Sequence, residues 1–180
     1  PEQVGDIKMK VILMVLAVLV IISGCTAKAE EPDLAALTSP DISGERLWQR
    51  IIEESDYRGY GQWKGHDGLR PGQSPHGSLH IVYINKPLYE AVPVQDSIAP
   101  NGSIIVKENY DSSEQLKNLT VMAKVEGYSP ETSDWFWAAI SPEGEVMAEG
   151  SPEGCVSCHE GMRANDYIII KNIDEPQAED

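Results

Sequence analysis

Residues 134–150 read DWFWAAISPEGEVMAEG. Two apolar runs flank Pro142-Glu143-Gly144, a turn-forming triplet, which predicts a β-hairpin. In its first arm Trp135 and Trp137 point to one face and Phe136 and Ala138 to the other. Three further stretches upstream share this β-branched and aromatic character: SLHIVYIN (78–85), GSIIVKENY (102–110) and NLTVMAKVEGY (118–128). Together they predict a mainly β, α+β domain with an antiparallel sheet of about five strands.

One helix precedes the sheet. Ser43 is placed to cap a helix from about Gly44 to Glu54, along which Leu47, Trp48, Ile51 and Ile52 form an apolar stripe. Residues 56–77, DYRGYGQWKGHDGLRPGQSPHG, are dense in Gly and Pro and read as irregular. Asn85 is expected to cap a short helical turn, KPLYEAV. No internal repeat is visible.

Near the other end of the chain, Cys155-Val156-Ser157-Cys158-His159 forms a Cys-x-x-Cys-His motif. A structural zinc site needs four ligands, and His159 follows Cys158 too closely to act as an independent second pair. A thioredoxin-like redox pair belongs after the first strand of a βαβ unit. Covalent haem c fits best: two thiols three residues apart reach the two vinyl groups, and the adjacent imidazole turns onto the iron. One haem is expected, held by Cys155 and Cys158, with His159 as the proximal ligand.

The N-terminal residues supply a compartment. Lys8 and Lys10 precede an apolar run from Val11 to Ile22, followed by Ser23-Gly24-Cys25. The run is shorter than the roughly 20 residues of a membrane span and reads as a secretory signal. Its end resembles a bacterial lipobox, in which Cys25 would be lipidated. Residues 1–24 are then upstream residues and signal peptide, with Met9 the natural start, and residues 25–43 a flexible tether. Residues 44–180 form the haem domain, on the periplasmic or extracytoplasmic side of a membrane that only the lipid touches. With 29 Asp and Glu against 14 Lys and Arg, the charge argues against a nucleic-acid partner.

The position of the motif separates this chain from helical electron-transfer cytochromes, which carry it early and bring a Met across from downstream. Here Met162 follows His159 by three residues and is too near to reach the opposite haem face. Helical-bundle cytochromes have a late motif, but four long helices cannot be drawn from this sequence.

The segments SPHGSLHIVYIN, GSIIVKENY, LTVMAKVEGY, DWFWAAISPEGEV and GCVSCHEGMRANDYIII, in this order between Ser74 and Lys171, resemble the cytochrome P-460 family, including its cytochrome c prime-beta members. The resemblance implies a β-sheet haem domain, often dimeric, with iron held by His159 and an open opposite position. Some relatives oxidise hydroxylamine on a haem cross-linked to a lysine. Others lack the cross-link and bind nitric oxide.

The expected function is therefore a monohaem cytochrome acting on small nitrogen compounds, either as an oxidoreductase with a redox partner protein or as a binder. The alternatives are a six-coordinate electron carrier, with Met122, Met147 or His80 on the distal side, and a tethered sensory module. Candidate distal residues are His80, Lys107, Glu108, Lys124 and Asp134. His80 shares a strand face with Val82 and Ile84, although the commoner role of such a residue is a half-exposed strand histidine. The commoner role for His76-Gly77 is a turn after Pro75. The resemblance places a cross-linking lysine on the strand Ser78–Asn85, which has none, so an ordinary spectrum and a five-coordinate reduced iron are expected; Lys107 and Lys124 remain candidates on neighbouring strands. Glu108 and Asp134 are candidate bases for the protons of hydroxylamine.

Overall fold

The computed structural model describes residues 39–176. The expectations for the signal segment, Cys25 and most of the tether lie outside them. Among the described residues no helix is long and apolar enough to cross a membrane.

Among the described residues, seven antiparallel strands form one sheet. They are β1 (Gly61–Gln62), β2 (Arg70–Pro71), β3 (Leu79–Ile84), β4 (Ile104–Tyr110), β5 (Leu116–Lys124), β6 (Trp135–Ile140) and β7 (Val146–Gly150). The order is β1-β3-β4-β5-β6-β7, with β2 also paired to β3. The five long strands are those expected from their period. The other two lie inside the Gly- and Pro-rich segment, where two-residue pairings are too short to leave an alternation.

Both faces of the sheet are covered, and strand parity divides the core in two. Tyr83, Val106, Leu119, Val121, Phe136 and Ile140 face one side. There they meet the N-terminal helix α1 (Gly44–Trp48), which widens into a π-helical turn over Gln49–Glu54. Leu47 and Ile51 of that stripe are completely buried. Ser43 caps α1 as expected, its Oγ accepting from Arg46 N at 3.1 Å. Val82, Ile84, Ile105, Met122, Trp135 and Trp137 face the other side and pack on the C-terminal segment. That segment comprises α3 (Glu153–His159), a 3₁₀ stretch over Glu160–Asn165, and the chain through Ile173.

Asn85 departs from its expected role. It stands at the N-cap position of α2 (Lys86–Ala91), but its side chain makes no capping bond. Instead its Nδ2 donates to Gly102 O and its Oδ1 accepts from Ile104 N, both at 2.8 Å. The fully buried amide thus stitches the end of β3 to the start of β4, where an unpaired backbone group would be costly.

Candidate haem-attachment site

The face carrying the C-terminal segment is graded in polarity. In register across β3, β4, β5 and β6, one row reads Ile84, Ile105, Met122, Trp137, and the next Val82, Lys107, Thr120, Ala139. A third row, across β3 to β5, reads His80, Asn109, Asn118. The apolar end packs against Tyr167 and Ile168. The polar end collects His66, His76, His80 and His159, all four histidines of the chain, around Lys107.

The geometry of His159 is set from below. Its Nδ1 lies 2.7 Å from Tyr167 O. A carbonyl can only accept, so Nδ1 carries the proton and Nε2 keeps its lone pair, the form needed for a metal ligand. The turn presenting that carbonyl is fixed by Asp166 and Tyr167, both in the left-handed region (φ 51° and 64°). Asp166 is buried and accepts from Lys124 Nζ at 2.5 Å and Ala99 N at 2.9 Å, while its backbone oxygen accepts from Trp135 Nε1 at 2.8 Å. Arg163 Nε donates to the Tyr167 hydroxyl at 3.0 Å. Cys155 is half-buried and Cys158 exposed, both as free thiols on α3. Burial pushes the Cys155 thiol up.

Across from His159 stand the residues of β3 and the loop before it. The His76 ring centre is 6.3 Å from that of His159, and its Nδ1 is 3.1 Å from Thr120 Oγ1. His80 and His66 stack and share a hydrogen bond, Nε2 to Nε2, of 2.9 Å. Burial, reinforced by the Lys107 ammonium, holds both His76 and His80 down to about 4, so both are neutral at pH 7. Lys107 is half-buried and is itself lowered by desolvation.

Among the described residues, three buried side-chain polar atoms of the strands on this face have no partner: His80 Nδ1, Asn109 Oδ1 and Trp137 Nε1. Such atoms are rare in folded proteins, and unpartnered atoms along the face that carries the cysteine segment fit a polar-edged group bound over it. Among the described residues, no three His, Cys, Asp or Glu side chains converge to hold a bare metal ion. A separate cleft of about 200 Å³ beside Ile84, Trp63 and Tyr89 includes none of these groups.

The expected site residues thus divide. Cys155, Cys158, His159, His80 and Lys107 share one face. Lys124 is on that face but is committed to Asp166 and lies 5.0 Å over the Trp135 ring, so it is a poor candidate for attachment. Glu108 points the opposite way. It accepts from the Tyr57 hydroxyl at 2.6 Å, Arg58 at 2.7 and 2.9 Å, and the Tyr110 hydroxyl at 2.7 Å. The sheet separates it from the cysteines, which removes it as a base for chemistry there. Asp134 sits in the turn before β6, where its Oδ1 accepts from Ser129 N at 3.0 Å. Its role is to shape that turn. Met147 is more than half exposed (54%) on the edge strand. His66 was not singled out in the sequence; a lone histidine within KGHDG has only its rarity in the chain to mark it.

A comparison with proteins of curated function found no match. A family model described as Cytochrome P460 matches residues 57–170, from the 3₁₀ turn before β1 to beyond the Cys-x-x-Cys-His motif. The match spans well over half of the chain and includes the whole sheet and the histidine cluster. The chain belongs to the cytochrome P460 family.

Proposed function

We propose that the chain is an exported, lipid-anchored monohaem c-type cytochrome that takes small nitrogen compounds, hydroxylamine or nitric oxide, at the iron position opposite His159. The observation carrying this reading is the convergence of all four histidines and Lys107 on the sheet face beside the paired cysteines. Cys155 and Cys158 would anchor the porphyrin, and His159 would ligate through Nε2. When bound, haem supplies a redox-active iron with an exchangeable coordination position.

The protein's own part is placement and proton handling. The Tyr167 carbonyl holds the His159 proton at Nδ1, which strengthens Nε2 as a donor. The neutral His80–His66 pair can accept and share a proton beside the site. Lys107 is paired across strands with Val82 on this face, and burial lowers its pKa, which brings the free amine nearer than on an exposed lysine. That is the nucleophilic form, so the lysine sought on β3 has a counterpart one strand away. Lys107 favours the hydroxylamine-oxidising branch of the family, with electrons passing to a redox partner protein.

Protein made with haem-ligation machinery should gain the mass of one haem, retained in acidified organic solvent. The reduced form should change its absorption on adding nitric oxide. A red-shifted band that disappears in Lys107→Ala, together with hydroxylamine turnover using an artificial acceptor, identifies the oxidase; an ordinary spectrum identifies the binder. An apo mass rejects both. Cys25→Ser should release the protein from the membrane fraction, and unchanged membrane retention and processing would reject the anchor.

A further inference from the structure

Family resemblance implies a position opposite His159 that stands open. The loop before β3 points to one that closes. Residues 72–78 make a tight connection from β2 to β3. Gly72 N donates to Ser78 O at 2.7 Å, His76 N to Gln73 O at 2.8 Å, and Ser78 N to Tyr110 O at 2.9 Å. Gly77 has φ 73°, and a Cβ there would lie 2.4 Å from Tyr110 O. Only glycine lets this loop press so closely onto β4, and that approach carries the neighbouring His76 over the sheet face.

His76 is held there by its own hydrogen bond. Thr120 Oγ1 is 3.1 Å from His76 Nδ1 and accepts from Asn109 Nδ2, also at 3.1 Å. A hydroxyl oxygen has two lone pairs. Thr120 can therefore accept from both neighbours, and in that arrangement His76 carries its proton on Nδ1 and keeps the Nε2 lone pair. His159 is held in that state by Tyr167 O, a carbonyl that can only accept. The two imidazoles lie next to each other, their ring centres 6.3 Å apart and their planes crossed at 75°.

That separation matches a definite chemical arrangement. A first-row metal sits about 2.0 Å from an imidazole nitrogen, and the ring centre lies roughly 1 Å further back, so two imidazoles sharing one metal from opposite sides have centres about 6 Å apart. His80 pairs instead with His66, by ring stacking and an Nε2–Nε2 hydrogen bond, and the ring contact with His159 is made by His76.

We propose that His76 is the sixth ligand of the iron held by His159, an occupant built into the protein that an incoming small nitrogen compound must displace. This rests on the haem reading above and specifies how its open position is controlled. Thr120 is the positioning residue. Occupancy by His76 lowers apparent ligand affinity by the fraction of molecules left open: if one in ten is open, the loss is roughly tenfold.

The test uses the haem-loaded full chain and reads coordination directly. The oxidised wild type should give a low-spin absorption spectrum and a strongly anisotropic low-spin electron paramagnetic resonance signal, as crossed imidazole planes produce. His76→Ala should become high-spin, and added imidazole should restore the low-spin state, which also demonstrates an intact fold. His76→Met should remain six-coordinate with the distinct charge-transfer band of a thioether ligand. His80→Ala should leave the low-spin spectrum in place. Nitric oxide should bind His76→Ala roughly tenfold more tightly than wild type if one wild-type molecule in ten is open. A wild type that is covalently loaded but high-spin, or a His76→Ala protein that stays low-spin, overturns this inference while leaving the functional reading intact. A chain carrying no covalent haem overturns the functional reading and this inference with it.

Discussion

Lys124→Met should cost the folded domain about 3–5 kcal/mol, the usual effect of removing one partner from a buried ion pair. Lys124 and Asp166 are both buried, at 8% and 2% exposure, and their charged atoms are 2.5 Å apart. Without the ammonium, the Asp166 carboxylate keeps only the Ala99 N–H, too little to offset the loss of water around a charge. Urea unfolding read by tryptophan fluorescence measures the loss. The double variant Lys124→Met/Asp166→Asn should recover most of it, because it leaves no orphaned charge and Asn tolerates the left-handed backbone at 166. A loss below about 1 kcal/mol in Lys124→Met would place the pair among solvent-screened contacts. The effect should also reach the site: Asp166 sets the turn whose next carbonyl, at Tyr167, accepts from His159. The haem-loaded variant should therefore show a changed iron–histidine vibration.

The Cys-x-x-Cys-His motif, the five long strands, the Ser43 cap and the apolar stripe of α1 were all legible in the sequence, because each depends on local spacing. Which side chains share a face across strands was harder to read. In β4 the run from Ile104 to Val106 is buried on both sides, so the alternation that usually separates inside from outside disappears. Period alone puts Lys107 and Glu108 on opposite faces; it cannot say which face meets the cysteines. The C-terminal segment decides this by packing against the Val82 side. His66 and His76 reach the site through a Gly- and Pro-rich stretch with no period at all. Their placement depends on long-range contacts such as Tyr110 O with Ser78 N. Asn85 shows the same limit, since a cap residue and a cross-strand bridge look identical in sequence.

The two-faced sheet also predicts that stability and haem chemistry can be separated at Glu108. Its side chain is 1% exposed and accepts bonds from two tyrosine hydroxyls and the Arg58 guanidinium. Burial and this carboxylate together push the Tyr57 and Tyr110 hydroxyls above the ordinary phenol value. Glu108→Ala strands the Tyr57 hydroxyl, whose ring is 2% exposed, whereas Arg58, with its side chain 57% exposed, can turn to water. The expected loss is about 3 kcal/mol, or roughly 6–12 °C in Tm. Glu108→Gln should lose less, because the amide oxygen still accepts from one of these donors. Neither change should move the absorption spectrum or ligand binding of the haem-loaded protein at a temperature where it is folded, since the sheet lies between Glu108 and His159. A spectral change in Glu108→Gln without a matching loss of stability would mean that the two faces are coupled, and would return this carboxylate to the chemistry from which its orientation excludes it.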